Sequence, residues 1–172
     1  MKIHAFAIAG LLSCLITACN NNSKELSQAV KSLQQVDSAA SVGTNIGNYA
    51  TQVISAKTEV DTYLLKDKDS ETAKKLSKVL NSHLAAVDWW RCDLSQAESF
   101  LKDEYDVASE CRDAILPRIF ELSPDIKKEA EQAIATKPMR HKSDSLDKSA
   151  MLQMIWQETS SDTKSLFKDT NQ

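Results

Sequence analysis

Apolar and small side chains recur along this chain at the spacing of an amphipathic helix. From Lys24 onward the intervals are mostly three, four and seven residues, in the set Leu26, Val30, Leu33, Val36, Ala40, Gly43, Gly47, Ala50, Val53, Val60 and Leu64. Positions three or four apart share one face of an α-helix, and that face needs a partner to bury it. The pattern therefore predicts helix from the start of this segment.

Two interpretations of the glycines in this stripe are open. Ala39, Gly43 and Gly47 are four residues apart, so a continuous helix would present nearly bare backbone that another chain could approach closely. Gly43 and Gly47 are candidate partner-binding residues for that reason. Alternatively, the helix breaks at Gly43 and Thr44 caps a second helix, because glycine costs roughly 1 kcal/mol in a helix interior.

The helical pattern continues to the end of the chain, with turn signals between its parts. A new helix is expected to begin after a cap at Asp69 or Ser70, and Pro117 predicts a boundary or kink farther along. Proline at its first position favours a helix from Pro124 to about Thr136. The last helix is expected to open within residues 143–145.

Composition agrees with an all-α protein. The chain has 172 residues with only 3 Gly and 3 Pro, and 42% of its residues are hydrophobic, which suits long uninterrupted helices. We therefore expect an antiparallel helical bundle of about four to six helices with a long N-terminal helix. It forms a single domain over residues 24–169, followed by a disordered tail at 170–172.

The N-terminus follows a different pattern. Residues 3–15 are mostly apolar, follow Lys2 and precede small residues. This stretch is too short to span a bilayer comfortably and is typical of a cleaved secretory signal, here residues 1–18. Its end, Ile16-Thr17-Ala18-Cys19, resembles the lipobox of bacterial lipoproteins, in which an aliphatic residue and two small residues precede the modified cysteine.

The resemblance implies a subcellular location for the protein. Diacylglycerol on the Cys19 sulfur and a third acyl chain on its amino group would anchor the protein stably, and residues 19–23 would form a short tether. Asn20, where Asp would indicate retention at the inner membrane, favours the outer membrane. The periplasmic face is the expected side, with exposure at the cell surface as the alternative.

Charge limits the class of partner. The net charge is −3, with both signs interspersed along the chain, which argues against a nucleic-acid binder and against docking on anionic lipid through a basic face. The expected partners are the membrane, through the N-terminal lipid, and another envelope protein.

Cys92 and Cys111 are the two cysteines that remain once Cys14 is removed and Cys19 is acylated. An oxidising periplasm favours a disulfide between them. An unbroken helix would hold them roughly 28 Å apart, so the pairing requires a turn, expected near residues 101–106. The unbroken helical stripe over 94–115 favours the alternative of unpaired thiols.

Trp89, Trp90 and Arg91 form the densest cluster of large side chains in the sequence. Adjacent residues lie about 100° apart on a helix, so one indole can enter the core while Arg91 stacks on the other. This is typical of a partner-binding hot spot, and we list all three as candidate partner-binding residues. The favoured alternative is that both indoles cover the end of the bundle.

Catalytic chemistry has little support in the sequence. His83, beside the leucine stripe, is expected at the boundary of a helix face, and His141 in an exposed basic loop; neither has zinc-type spacing to other ligands. We therefore predict no metal, no cofactor and no enzyme activity. The expected function is a periplasmic, membrane-anchored adaptor or structural interaction protein. The alternative is an inhibitor or exclusion-type lipoprotein that blocks an incoming protein, and an enzyme is the least favoured class.

Overall fold

The chain folds as an all-α protein throughout the residues that the structure describes. The computed structural model describes residues 13–92, 107–137 and 140–170, with side chains over 24–92, 108–137 and 140–168. Its elements are α1 (Ser13–Val42), α2 (Ile46–Leu64), α3 (Glu71–Arg91), α4 (Val107–Leu122), α5 (Pro124–Thr136), a short 3₁₀ helix (Lys142–Ser145) and α6 (Lys148–Thr170). The predicted fold class and long N-terminal helix are confirmed.

The helix predicted from the first apolar stripe is interrupted at Gly43, the first of the two candidate glycines. Gly43 has φ of +80°, a left-handed conformation that ends α1 at Val42. The cap of α2 is Asn45 rather than Thr44, since the Asn45 side chain accepts a hydrogen bond from the Asn48 N–H at 2.9 Å. The first stripe is therefore divided between two helices joined by a tight corner.

Helices α1, α2, α3 and α6 pack as an antiparallel four-helix bundle. At one end of it, Lys66 just after α2 pairs with Glu25 of α1 at 2.5 Å. Near the same end, Lys78 of α3 lies 2.9 Å from Asp162 and 3.3 Å from Glu158, both on α6. The first pair places the middle of α1 beside the end of α2, and the others place the C-terminal half of α6 beside the first turns of α3.

The bundle core is built from the predicted apolar stripe. Five of its members lie on that stripe, and α3 and α6 supply further apolar side chains, each at most 2% exposed: Val30, Leu33, Val36, Val53 and Val60 on the stripe, with Leu76, Val79, Met151, Ile155 and Leu166. Burial of this surface is the main favourable contribution to folding. It also explains why the helices form despite a modest number of capping interactions.

Helices α4, α5 and the 3₁₀ helix form a layer on the outside of α3, which we call the side layer. A disulfide joins Cys92, directly after α3, to Cys111 of α4, with Cα atoms 5.6 Å apart. Farther along α4, Arg118 donates to Asp88 Oδ2 at 3.1 Å and to the Asn81 carbonyl at 3.4 Å. Helix α4 therefore runs antiparallel to α3, along its C-terminal half.

The helix boundaries predicted from the sequence are partly confirmed and partly wrong. The helix from Pro124 to Thr136 and the cap at Ser70 are confirmed. Pro117 lies inside α4 and does not end it. The expected opening of the last helix at 143–145 is wrong, since that stretch is a 3₁₀ helix and α6 begins at Lys148. The predicted turn near 101–106 lies outside the described residues.

The N-terminal part of the chain has helical backbone from Ser13 onward. Helix α1 includes Cys19 and the segment expected to be a tether, so cleavage before Cys19 would leave a mature chain that begins within α1. In the described ranges, no helix combines the length and apolar character needed to cross a membrane. The predicted signal peptide, lipidation and C-terminal tail stay predictions.

Candidate functional site

Trp89 and Trp90 belong to the interior rather than to an exposed surface. Trp89 is fully buried, and its Nε1 donates to the Lys148 carbonyl at 3.4 Å. Trp90 is half-buried and packs against the core. Arg91 is exposed; among the described residues, the guanidinium that lies over an indole is that of Arg112, 5.7 Å from the Trp89 ring centre. The core interpretation of the tryptophan pair is therefore the one that the structure supports.

Tyr49 stands at the centre of an aromatic cluster that the sequence did not indicate. Its ring centre lies 6.0 Å from that of Trp90 and 5.6 Å from that of Trp156, and the two indoles are themselves 5.6 Å apart. The pairs are tilted or edge-on, the arrangements that the ring quadrupoles favour. The cluster joins α2, α3 and α6.

A chain of polar contacts crosses the same part of the bundle. Trp156 Nε1 donates to the Tyr49 hydroxyl at 3.0 Å, and that hydroxyl lies 2.8 Å from His83 Nδ1. Because the Tyr49 oxygen accepts from Trp156, its own hydrogen can go to His83 Nδ1, which leaves the His83 proton on Nε2. Asp37 Oδ1 lies 3.3 Å from Nε2, at ion-pair distance but outside hydrogen-bond geometry.

Each helix of the bundle supplies one member of this chain: Asp37 from α1, Tyr49 from α2, His83 from α3 and Trp156 from α6. The sequence predicted His83 at the boundary of a helix face, but the side chain is fully buried and in contact with partners.

Burial raises the pKa of Tyr49 far above its ordinary value of 10.0. The hydrogen bond from Trp156 opposes this rise, and the nearby Asp37 charge adds to it.

A carboxylate, an imidazole and a hydroxyl in this order could in principle relay a proton to a substrate. Tyr49 and His83, however, have no solvent-exposed surface, and the Tyr49 hydroxyl is already bonded to Trp156. A substrate could not contact the hydroxyl in this conformation. The arrangement fits a polar network that specifies how the four helices pack.

The glycine candidates occupy a helix corner. A Cβ at Gly43 would meet nothing within 4 Å, so glycine is required there for its backbone conformation and not for close packing. A Cβ at Gly47 would lie 3.3 Å from the Asn45 cap oxygen. Gly43 also borders a shallow groove of about 760 Å³ with Gln34, Gln52 and other polar residues.

The side layer contains a polar cluster that links α4 to the 3₁₀ helix. Asp113 accepts from the Ser143 N–H at 2.8 Å and lies 3.3 Å from His141 Nδ1. Ser143 donates to the Ser109 carbonyl at 3.0 Å, and the Ser109 hydroxyl donates to Asp144. His141 is therefore largely buried beside a carboxylate, contrary to the exposed position that the sequence predicted.

An open groove of about 680 Å³ lies beside this cluster. One face of α4 lines it with Leu116, Pro117 and Phe120. The cationic side chains of Lys127, Arg140 and Lys142 and the carboxylates of Asp113 and Glu121 complete its lining. We call this feature the side groove; it combines an apolar floor with a charged rim.

The side groove lies toward the end of the bundle that is remote from the start of α1. Helix α4 follows the C-terminal half of α3, and in that half His83 contacts Asp37 near the end of α1. Glu25, in the middle of α1, pairs with Lys66 at the opposite end, and the start of α1 extends beyond that pair. From Cys19 to Asp37 the helical rise amounts to about 27 Å.

None of the residues that line the side groove was a candidate in the sequence. Two signals were visible there: a proline in a helical pattern, and the basic loop around Arg140. Their proximity depends on the packing of α4 against the 3₁₀ helix, which local sequence does not encode.

Within 13–92, 107–137 and 140–170, no group of three or more His, Cys, Asp and Glu residues is placed to hold a metal ion. No protein-family model, curated protein or solved structure matches this chain.

Proposed function

We propose that this protein is a lipid-anchored lipoprotein of the bacterial envelope that acts without catalysis, as an adaptor holding a partner protein. The observation that carries the proposal is the side groove, an open and preformed recess with an apolar floor and a charged rim. Recesses of this kind accept an anchoring side chain from a partner and surround it with polar contacts.

The position of the side groove supports an adaptor. Lipid on Cys19 would hold the start of α1 at the membrane, and the continuous helical backbone to Val42 would carry the opposite end of the bundle away from it. The groove would then open into the periplasm, at the outer membrane that Asn20 favours. A partner bound there would be held at a defined height above the lipid surface.

A groove fits the structure better than a broad hydrophobic face. The large exposed apolar side chains of the described residues are Val42, Ile54, Leu65 and Phe167. Val42 and Leu65 lie beyond opposite ends of α2, so these two side chains do not share a patch. Single exposed apolar residues are ordinary on protein surfaces and need no partner.

Photocrosslinking in intact cells tests the proposal. A photoreactive amino acid at the exposed position Glu121, on the rim, should yield one dominant protein adduct. The same amino acid at Ile54, exposed on α2 away from the groove, is the matched control and should not yield it. The adduct at Glu121 should fall when Lys142 is changed to Glu. Equal adducts from both positions, or none from Glu121 in folded protein, would contradict the adaptor function.

The anchor is tested separately with Cys19→Ser. We expect the wild-type protein to fractionate with outer membranes and to incorporate labelled fatty acid. The Cys19→Ser variant should not incorporate the label. A variant that still carries lipid would show that Cys19 is not the site.

A further inference from the structure

We infer that one end of the bundle lies against the phospholipid surface in which Cys19 would be anchored. This end, which we call the base, contains Glu25, Leu65 and Phe167. The bundle would stand upright on the membrane, with Leu65 and Phe167 among the lipid headgroups. The inference rests on the proposed lipid anchor and adds the surface of the folded domain that contacts the lipid.

Continuous helix keeps the base close to Cys19. Helix α1 is unbroken over Ser13–Val42, and Cys19 precedes Glu25 by six residues. At about 1.5 Å per residue, the helical rise between them is about 9 Å. The headgroup layer on one side of a bilayer is about 5–8 Å thick. The base would therefore lie at the outer edge of the headgroups when α1 is perpendicular to the membrane, and deeper when α1 is tilted.

Leu65 is exposed directly at the base. It follows the last residue of α2, precedes the Lys66 that pairs with Glu25 of α1, and is 88% exposed. Leu64 and Leu26, which adjoin Leu65 and Glu25 in the chain, are only partly buried against the core. An apolar side chain in this position is removed from water when it enters the interfacial layer of a bilayer.

Phe167 of α6 lies at nearly the same level. Asp162 of α6 pairs with Lys78 of α3 at 2.9 Å, so these two residues share one height in the bundle. Phe167 follows Asp162 by five residues, and Glu71, where α3 begins, precedes Lys78 by seven. Because α3 and α6 run in opposite directions, Phe167 lies within about 3 Å of the level at which α3 begins. Its side chain is 44% exposed.

Charged side chains at the base are paired with one another. Lys66 pairs with Glu25, and Lys74 pairs with Glu71 at 2.7 Å. We therefore assign the contact to the apolar side chains rather than to an excess of either charge. The expected surface is zwitterionic phospholipid, which agrees with the interspersed charges of the sequence.

Height distinguishes Leu65 from Ile54 and Val42, two other exposed apolar residues. Ile54 is 58% exposed on the same helix, but eleven residues earlier, which places it about 16 Å farther from the base. Val42 is 82% exposed at the opposite end of the bundle, where α1 ends. A single exposed apolar residue needs no partner. Leu65 and Phe167, in contrast, lie at the end of the bundle that Cys19 adjoins.

Quenching of tryptophan fluorescence by brominated lipid tests the inference. The wild-type lipoprotein and the variants Leu65→Trp, Ile54→Trp and Val42→Trp are reconstituted in phosphatidylcholine vesicles with bromine near the headgroup end of the acyl chains. After subtraction of the wild-type signal, we expect strong quenching of Leu65→Trp and none of Ile54→Trp or Val42→Trp. High salt should leave the quenching unchanged, because the contact is apolar. Quenching that requires anionic lipid and disappears in high salt would contradict an apolar contact.

Phe167→Ser tests the second side chain with the same probe. Added to Leu65→Trp, this substitution should reduce the quenching, because the base then has less apolar surface to place in the lipid. Ile54→Ser, the loss of an exposed apolar side chain away from the base, should leave it unchanged. Equal quenching in both double variants would contradict a base that contacts lipid through Leu65 and Phe167 together.

Mass spectrometry of the same preparations separates the inference from the proposed anchor. Lipid on Cys19 with no quenching of folded Leu65→Trp would overturn the inference and retain the anchor. If that unquenched emission were also shifted to the blue, the base would be assigned to a protein contact, such as a second copy of the chain. Equal quenching of Ile54→Trp would mean that the bundle lies on its side, which also overturns the inference. Absence of lipid from Cys19 would refute the anchor and the inference together.

Discussion

The Tyr49 hydroxyl connects Trp156 to His83 inside the bundle. Tyr49→Phe keeps the ring but removes the partner of the buried His83 Nδ1 and of the partly buried Trp156 Nε1. We therefore expect the free energy of unfolding to fall by about 1–3 kcal/mol. Urea unfolding followed by circular dichroism measures this change.

Tyr63→Phe is the matched control for that substitution. The Tyr63 hydroxyl donates to the half-buried Asp67 at 2.9 Å, where water can replace it. We expect a loss of about 0.5 kcal/mol. Equal losses in the two variants would mean that the network adds nothing beyond an ordinary surface hydrogen bond.

The raised pKa of Tyr49 predicts a dependence of stability on alkaline pH. An unfolded tyrosine ionises near 10.0, whereas folded Tyr49 stays protonated to higher pH. Its contribution is therefore fully present below about pH 10 and is lost as the pH rises, at up to about 1.4 kcal/mol per pH unit. Denaturation at a series of alkaline pH values should show a shallower decline for Tyr49→Phe. Burial also raises the pKa of Tyr63, but that residue is present in both proteins. Parallel declines would contradict the assignment to Tyr49.

The corner between α1 and α2 depends on the left-handed backbone of Gly43. Gly43→Ala introduces no clash, because nothing lies within 4 Å of the new Cβ, so the cost is conformational. We expect a loss of roughly 1 kcal/mol, measured by thermal or urea unfolding. Gly43→Asn should lose less, since Asn tolerates this conformation. If Ala and Asn were equally harmless, the corner would not depend on this conformation.

Local chemistry accounts for the helix boundaries that could be predicted. A Ser70 side chain that caps its own helix and a proline at position 124 act within one turn of the backbone, so the sequence alone identifies them. Residues 143–145 offered equally good capping side chains. Ser143 and Asp144 are instead bonded to Asp113 and Ser109 of α4, and these tertiary contacts hold a 3₁₀ turn there.

At the scale of the whole molecule, the described residues form a four-helix bundle with a side layer that a disulfide cross-links to the end of α3. The disulfide between Cys92 and Cys111 closes a loop with a sequence separation of 19 residues. Cys92→Ala with Cys111→Ala should therefore lower the free energy of unfolding by about 3 kcal/mol, chiefly by freeing the unfolded chain. Denaturation of the double variant beside the oxidised parent measures this.

Thiol labelling provides the check on the bond itself. In native protein, Cys92 and Cys111 should react with an alkylating reagent only after reduction. Labelling of both without reductant, or a double variant as stable as the parent, would contradict the covalent attachment of the side layer.

The sequence by itself determined the class of fold and the apolar residues available to form its core. An apolar residue every three or four positions, with few glycines and prolines, leaves helix as the structure that can bury them on one side. The pairing of Cys92 with Cys111 was also within reach, because the predicted processing leaves these two cysteines and the predicted compartment is oxidising. The resemblance of residues 16–19 to a lipobox is likewise visible in the sequence alone, because such a signal is linear; lipidation stays a prediction.

Tertiary structure alone decided which polar residues meet. Asp37, Tyr49, His83 and Trp156 are far apart in the chain and come together because four antiparallel helices present them at one level of the bundle. The side groove likewise exists only where α4 and the 3₁₀ helix converge. Helical periodicity specifies which face of a helix is buried, but not the neighbour that covers it or the height at which the two helices meet. The candidate site was therefore beyond the reach of the sequence.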